Sequence, residues 1–152
     1  MCLMLFALQV HRDYRLVFAA NRDESHARPT AQAAFWDDAP EIFAGRDLEQ
    51  GGTWLGITRT GRFAGLTNFR HGRGQPDAPV SRGLLVSDFL RGNESGQDYL
   101  AAVSRRGQAF NGFNLLAGDP KSLHYYSNRR TSVEKIPAGV HGLSNHLLNT
   151  PW

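Results

Sequence analysis

The stretch Cys2-Leu-Met-Leu-Phe-Ala-Leu-Gln-Val10 joins a candidate buried strand to the only cysteine of the 152-residue chain. Residues 3–10 form a nearly continuous apolar run, which is typical of a strand covered on both faces. A small residue after the initiator methionine is the usual condition for removal of Met1. That removal would leave Cys2 with a thiol and a free α-amino group side by side.

Cys2 is therefore a candidate nucleophile that carries its own base. Thiols and α-amines both titrate near neutral pH. The amine can take the thiol proton and later give it to a leaving group, as in the N-terminal variants of the catalytic triad. The alternative interpretation is that Cys2 is a small buried hydrophobic residue at the end of a strand, as most free cysteines are. Its position alone leaves both interpretations open.

A polar cluster is expected beside Cys2. The segment His11-Arg-Asp-Tyr14 is a predicted turn, and Arg15–Ala20 is a predicted strand that returns beside the first. This hairpin would bring Asn21-Arg22-Asp23-Glu24 close to Cys2. Side chains there could bind the amine, the thiolate or a substrate. A turn capped by Asx hydrogen bonds explains the same residues equally well.

The next part of the chain is predicted to contain one clear hairpin. Residues 25–50 are predicted to be irregular, apart from a short strand at Glu41–Ala44. The hairpin follows, with strands at Thr53–Thr58 and Arg62–Asn68. After it, Arg70–Pro79 is a loop by composition, whose two arginines and one histidine could steer an anionic substrate. A solvated loop is the alternative interpretation.

Two helices and further strands complete the pattern. Ser81 is the predicted N-cap of a helix that runs to about Leu90, and the capping box Ser95-Gly-Gln-Asp98 opens a second helix that ends at Gly107. The strands predicted after them are Phe113–Ala117, Leu123–Ser127 and Ser132–Ile136. The order ββ–ββ–αα–βββ predicts an α+β fold with helices packed on antiparallel sheet. We expect a single domain over residues 1–152, cut short at the C terminus because no closing element follows.

Composition excludes several classes of protein. The content of 41% hydrophobic and 20% charged residues is that of an ordinary soluble domain. The net charge of +3 comes from scattered arginines, so that a nucleic-acid partner is not expected. A single cysteine excludes an internal disulfide and favours the cytoplasm. The apolar start lacks a basic leader and a cleavage site, and a polar turn interrupts it, so it predicts neither a signal peptide nor a membrane span.

Sequence motifs leave acyl transfer as the chemistry to consider. The six histidines occur singly and without zinc-binding spacing, so neither a metal site nor a cofactor is predicted. Nucleotide-binding glycine motifs and the serine-hydrolase elbow do not occur. What remains is Cys2, the cluster at 21–24, and the asparagines Asn68 and Asn145 at candidate strand ends. Amide N–H groups of this kind can stabilise the oxyanion that forms when a thiolate attacks a carbonyl.

Several stretches carry a resemblance to a known family. They are Leu16-Val-Phe-Ala-Ala-Asn-Arg-Asp-Glu24, Arg28-Pro-Thr30, Ala44-Gly-Arg-Asp-Leu48, Gly51-Gly-Thr-Trp-Leu-Gly-Ile-Thr58, Leu66-Thr-Asn-Phe-Arg70, and Gly142-Leu-Ser-Asn145 with Thr150-Pro-Trp152. In this order they resemble the NRDE family, the transport and Golgi organisation protein 2-like family named for its Asn-Arg-Asp-Glu motif. Members of that family usually continue beyond the Thr-Pro-Trp motif.

The family in turn resembles the N-terminal nucleophile (Ntn) hydrolases, most closely the choloylglycine hydrolase branch. The resemblance implies an αββα sandwich, in which antiparallel sheets are covered by helices, and cleavage of linear amide bonds. It implies Cys2 as the nucleophile with its α-amine as the base, Asp23 as the carboxylate that orients the amine, and Asn68 and Asn145 as oxyanion contacts. Asn21, Arg22 and Arg70 are the predicted substrate-binding residues for a small-molecule substrate.

The chain also departs from that branch. The branch has an arginine immediately before the asparagine of its strand-end motif, where this chain has Ala20, and its Arg22 is offset by two positions. A second catalytic arginine of the branch would fall beyond Trp152. The alternative that the resemblance implies is a non-catalytic carrier of haem or of lipid and acyl-CoA. A carrier of haem would need an axial ligand, for which His26, His71 and Cys2 are the candidates.

Overall fold

The computed structural model describes residues 1–70 and 80–151 of the chain. Its strands are β1 (Leu3–Leu8), β2 (Leu16–Asn21), β3 (Thr30–Trp36), β4 (Ala39–Asp47), β5 (Leu55–Thr58), β6 (Phe63–Asn68), β7 (Phe113–Asp119), β8 (Ser122–Ser127), β9 (Glu134–Lys135) and β10 (Gly139–Leu143). Its helices are α1 (Gly83–Arg91) and α2 (Gly96–Arg106), and a 3₁₀ turn at Gly107–Ala109 follows them. Most of the predicted loop after Arg70, including His71, lies outside the described residues.

The apolar N-terminal run forms the middle strand of a three-stranded antiparallel sheet with the order β10-β1-β2. β1 and β2 pair from Leu3 opposite Asn21 to Leu8 opposite Leu16, which confirms the predicted hairpin. Burial alternates along β1, and Leu5 on the outer face is 50% exposed. The prediction that both faces of this strand are covered is therefore wrong for the described residues, because only the inner face packs against another layer.

The larger sheet has seven strands in the order β3-β4-β5-β6-β7-β8-β9, all antiparallel. The hairpin predicted at Thr53–Thr58 and Arg62–Asn68 is confirmed as β5 and β6. The prediction that residues 25–50 are irregular is wrong, because β3 and β4 form a long hairpin there. β3 is an alanine-rich edge strand with almost every residue exposed, so it shows neither strand propensity nor apolar alternation.

The sequence takes Asn145 as a strand end but gives no bounds for the strand before it, which is β10. This strand pairs with β1 from Met4 opposite Leu143 to Leu8 opposite Gly139. Two of its five residues are glycine, which has low strand propensity. This pairing matters for function, because β10 ends directly beside the start of β1 and brings Asn145 to Cys2.

The structure is layered as small sheet, large sheet and helices. One core lies between the two sheets and is made largely of Met4, Phe6, Leu8, Phe63, Leu116, Leu123, Tyr125 and Leu143. A second core lies between the large sheet and the helices and includes Leu66, Leu85, Val86, Phe89, Leu100, Val103, Phe113 and Leu115. The predicted α+β class, with helices packed on antiparallel sheet, is confirmed.

Both helices lie where the sequence predicts them, but only one is capped as expected. Ser95 Oγ accepts the N–H of Asp98 at 3.1 Å and donates to the Asp98 carboxylate at 2.7 Å, so the capping pattern forms. The predicted N-cap at Ser81 is wrong by one residue, because Arg82 occupies that position. Ser81 Oγ instead accepts the N–H of Gly83 at 3.3 Å.

Replacing the α2 cap should destabilise the fold. We expect Ser95→Ala to lower the free energy of unfolding by about 1 kcal/mol, because the Asp98 N–H loses its acceptor. The matched control is Ser104→Ala in the same helix, where the hydroxyl donates to the Ala101 carbonyl at 2.9 Å and alanine is the better helix former. Urea unfolding of both variants checks this, and equal losses of stability would contradict it.

Candidate functional site

Cys2 lies where the start of β1 meets the end of β2 in the small sheet. The β1–β2 register places Leu3 opposite Asn21, so the residue before β1 meets the residues after β2. The Cys2 side chain is 6% exposed, and its Sγ accepts the backbone N–H of Asp23 at 3.4 Å. The Asp23 carbonyl lies 3.9 Å from the same sulfur. The sulfur is therefore held by the backbone of the predicted polar cluster.

The backbone nitrogen of Cys2 is bound by a different residue, Asn145, which follows β10. It donates to Oδ1 of Asn145 at 3.1 Å, and Nδ2 of Asn145 donates to the Asn68 carbonyl at 2.8 Å. Asn145 is 4% exposed, so these amide groups are paired in a buried position. Asn68 also lines the cavity beside Cys2. The structure thus brings together Cys2, Asp23, Asn68 and Asn145, the four predicted catalytic residues.

Met1 occupies the open side of this cluster. Its ammonium group pairs with the carboxylate of Asp23, and its carbonyl accepts Nδ2 of Asn21 at 2.9 Å. Arg70 approaches the same carboxylate, with Nη2 3.5 Å from Oδ2. The hydrogen bond and charge of the N-terminal ammonium, helped by Arg70, hold the pKa of Asp23 below its usual range. Asp23 is therefore an ionised carboxylate aimed at the N-terminal amine.

The predicted substrate-binding residues take different places. Asn21 and Arg70 lie at the N-terminal cluster through the contacts with Met1 and Asp23. Arg22 pairs instead with Glu24, with Nη2 2.9 Å from Oε2, and both side chains line the cavity. His26, a candidate axial ligand for haem, is exposed in the turn after the cluster.

A cavity of about 1050 Å³ opens beside Cys2. It lies where the small sheet ends at β2 and leaves the inner face of β4 and β5 uncovered. Its apolar lining includes Leu16, Phe18, Phe43, Trp54, Leu55, Ile57 and Phe63. The sequence prediction did not identify this apolar surface, because it comes from four strands (β2, β4, β5 and β6) and depends on how far the small sheet extends.

An ion pair stabilises the polar rim of this cavity. Arg28 binds Asp47 through Nη2 at 2.7 Å and Nε at 2.9 Å, and Asp47 also accepts backbone N–H groups of Glu49 and Gln50. Burial acts to raise the pKa of Asp47, but these hydrogen bonds outweigh it and hold the pKa below its usual range. Both residues belong to the motifs Arg28-Pro-Thr30 and Ala44-Gly-Arg-Asp-Leu48, which the sequence analysis quoted without giving them a role.

A second, smaller cavity of about 370 Å³ lies next to the N terminus. It is lined by Met1, Arg70, Asn145, His146, Thr150 and Pro151. Asn145 therefore lies beside this cavity while it binds Cys2 and Asn68, which face the larger one. Removal of Met1, which lines this cavity, would open the cavity toward the Cys2 nitrogen.

Across residues 1–70 and 80–151, no three side chains from His, Cys, Asp and Glu gather closely enough to hold a metal ion. Within the same ranges, the helices are too short and too polar to cross a membrane.

Comparison with known proteins places the chain in a family. The family model described as "Transport and Golgi organisation 2" matches residues 1–152. The chain is 42% identical over 165 residues to the Transport and Golgi organization 2 homolog of Mus musculus and 41% identical over 168 residues to the corresponding Homo sapiens protein. It is 30% identical over 171 residues to Transport and Golgi organization protein 2 of Drosophila melanogaster.

These alignments cover all of this chain but only part of each relative. The share of the relative is 59% for the mouse and human proteins and 60% for the fly protein. The chain thus spans about three fifths of the length of these relatives. The family match and the identities agree with the order of the motifs quoted from the sequence. The chain belongs to the Transport and Golgi organisation 2 family.

Proposed function

We propose that this protein is an N-terminal cysteine amidohydrolase that cleaves linear N-acyl amide bonds. The proposal rests on two hydrogen bonds that hold Cys2 in place. Its nitrogen donates to Asn145, and its sulfur accepts the backbone N–H of Asp23. Any buried backbone N–H needs an acceptor, but a cysteine that only fills space needs no hydrogen bond to its sulfur. A nucleophile that uses its own amine as a base needs both groups held in place.

The first step requires loss of Met1. The nitrogen that now donates to Asn145 would then become a free α-amine. The carboxylate of Asp23, which binds the Met1 ammonium in this structure, would lose that partner. A carboxylate beside the new amine can orient it and stabilise its protonated form, in the role that aspartate has in catalytic triads.

The reaction itself is a double displacement at the acyl carbon. The amine takes the thiol proton, the sulfur bonds to the carbonyl carbon, and the carbonyl electron pair moves onto oxygen. Collapse of this tetrahedral intermediate breaks the C–N bond, and the ammonium returns the proton to the leaving amine. Water then attacks the thioester with the same amine as base, which releases the carboxylic acid and restores the thiol.

Asn68 and Asn145 are the proposed stabilisers of the oxyanion. The Nδ2 group of Asn145 has two hydrogens, of which one is donated to the Asn68 carbonyl. The side chain of Asn68 lines the cavity that Cys2 also lines. Fixed amide donors in a site with little water are effective for a developing negative charge, because they need no reorganisation during the reaction.

The apolar lining of the cavity suits an apolar acyl group, which we propose as the part of the substrate that binds beside Cys2. Its wall and floor carry aromatic and aliphatic side chains, among them Phe18, Trp54 and Phe63. Apolar lining with a few polar groups at one end is the usual form of a small-molecule site. Asn21, Arg22 and Arg70 are proposed to bind the polar part of the substrate.

We further propose that residues 1–152 form one Ntn-like domain whose complete fold is the αββα sandwich. Two stacked sheets and one helical layer support this. The outer face of the small sheet carries the exposed apolar residues Leu5, Val17 and Val140. A second helical layer on that face would complete the sandwich.

The cytoplasm is the proposed location, since a lone free thiol suits a reducing compartment.

The alternative proposal is a non-catalytic carrier, and the same cavity supports it for a lipid or acyl-CoA ligand. Support for haem is weaker, since the sulfur of Cys2 already accepts an N–H and His26 lies in an exposed turn. The third candidate ligand, His71, lies outside the described residues. Turnover of a bound amide separates an enzyme from a carrier.

The N-terminal mechanism predicts that the mature protein lacks Met1. Intact-mass analysis of the purified chain should show the mass without that residue. The matched control is Cys2→Leu, which should keep Met1 because a large second residue blocks its removal. Retention of Met1 in the wild type would remove the amine base and contradict the mechanism.

The thiol of Cys2 should react faster than its burial suggests. Near neutral pH we expect iodoacetamide to alkylate Cys2 in the folded protein faster than in the urea-denatured chain, because only the fold holds the ammonium, through Asn145 and Asp23, where it favours the thiolate. Asp23→Asn should remove most of this advantage, since the amide carries no charge to hold the ammonium in place. A folded rate at or below the denatured rate would count against an activated nucleophile.

Hydrolysis should depend on the thiol and on its carboxylate partner. With a panel of N-acyl amides as substrates, Cys2→Ala should abolish product release, because alanine offers no nucleophile. Asp23→Asn should lower the rate by about 100-fold or more, the typical contribution of a positioned acid–base system. Titrations of the same protein with haem and with a fatty acyl-CoA test the carrier proposal in parallel. Saturable binding without turnover in the wild type would favour the carrier.

A further inference from the structure

Three polar side chains lie buried between the two sheets close to the candidate site. Thr67, Asn114 and Tyr125 are each at most 1% exposed. Thr67 on β6 is paired in register with Asn114 on β7, and Tyr125 lies on the adjacent β8. Burying polar groups in an apolar core costs free energy unless every one of them is hydrogen-bonded. Their partners therefore indicate what this cluster does.

The three side chains bind the backbone of one segment that follows β10. Asn114 Nδ2 donates to the His146 carbonyl at 2.8 Å, and Thr67 Oγ1 donates to the Ser144 carbonyl at 2.6 Å. Tyr125 OH accepts the N–H of Leu148 at 3.3 Å. Every second residue from 144 to 148 is thus fixed to the large sheet.

The side chains also bind one another, which fixes their own orientation. Tyr125 OH donates to Asn114 Oδ1 at 2.8 Å, and Asn114 Nδ2 donates to Thr67 Oγ1 at 3.1 Å. Burial raises the pKa of Tyr125 above its usual value, so its hydroxyl stays protonated and able to donate. A fully paired network of this kind is rigid, because each member has one favourable arrangement.

Because its neighbours are anchored in this way, the side chain of Asn145 is held toward Cys2. The carbonyls on either side of it, those of Ser144 and His146, are both held by the network. Its side chain reaches Cys2 N and the Asn68 carbonyl, and its own carbonyl accepts the N–H of Arg70. The position of the Asn145 amide is consequently set by residues that do not touch Cys2.

We propose that Thr67, Asn114 and Tyr125 are positioning residues that hold Asn145 against the amine of Cys2. The inference rests on the proposed function, because it assigns the network to the N-terminal nucleophile. Asn145 Oδ1 stabilises the ammonium form of that amine, and the ammonium stabilises the adjacent thiolate. Loosening the segment 144–148 therefore lowers the fraction of thiolate at neutral pH, while no charged side chain of the cluster at Cys2 (Arg22, Asp23, Glu24 and Arg70) is removed.

A purely structural role for the network predicts the opposite behaviour. A destabilised segment would expose the buried thiol and speed its alkylation at every pH. If the network instead positions Asn145, its loss slows alkylation only at a pH at which the thiolate form needs the neighbouring ammonium. At a pH above the ordinary titration range of a thiol, the sulfur is ionised without help and the difference should disappear.

The test is the rate of iodoacetamide alkylation of Cys2 at pH 7 and pH 9.5 in protein that lacks Met1. The variants are Tyr125→Phe and Thr67→Val, which each remove one hydroxyl and add no charge. The control is Tyr99→Phe, which removes a buried tyrosine hydroxyl bonded to the Leu85 carbonyl at 2.7 Å in the helical layer. Thermal melting of each protein at both pH values checks that it is folded, and either of the two variants suffices if the other does not fold.

We expect Tyr125→Phe and Thr67→Val to slow alkylation at pH 7 by about fivefold, the ratio that corresponds to one hydrogen bond of ordinary strength. At pH 9.5 their rates should equal that of the wild type, and Tyr99→Phe should match the wild type at both pH values. Unchanged or faster alkylation at pH 7, the same factor at both pH values, or equal slowing in Tyr99→Phe would overturn the inference. A wild type that is not faster than the denatured chain would instead overturn the proposed function.

Discussion

The hydrogen bond from the Cys2 nitrogen to Asn145 is the constraint on which the site depends. It joins the residue before β1 to the second residue after β10, 143 positions later in the chain. The second hydrogen bond of the Asn145 side chain, to the Asn68 carbonyl, extends the connection to the end of β6 in the other sheet. The Cys2 nitrogen is thus held by one side chain that is bound to both sheets, and its position depends on how the two sheets pack.

The two sheets differ in width, and this difference creates the space beside the nucleophile. The small sheet covers the inner face of the large one only as far as β2, so β4 and β5 stay open and their apolar side chains line the larger cavity. The sulfur of Cys2 lies at one end of that cavity, bound by the Asp23 N–H. An apolar space that ends at a polar, ionised cluster suits a ligand with one apolar part and one polar part, which both proposed functions require.

Part of the site could be predicted from the sequence, because Asp23 and Asn68 lie at the ends of strands that the pattern identifies. Asn145 is a predicted strand end as well, although the pattern gives no bounds for the strand before it. The pattern does not predict the alanine-rich β3 or the bounds of the glycine-containing β10, since neither strand has apolar alternation or strong strand propensity. The cavity lining and the network around Asn114 depend on tertiary packing, which local patterns do not encode.

The proposed reaction requires a covalent acyl intermediate on Cys2. The mass of the N-terminal peptide tests this after the protein is incubated with an activated acyl ester and quenched in acid. We expect one added acyl group on the peptide that begins with Cys2, lost over time as the ester is consumed and absent in Cys2→Ala. Consumption of the ester with no acyl group on that peptide, or acylation that persists in Cys2→Ala, would contradict it.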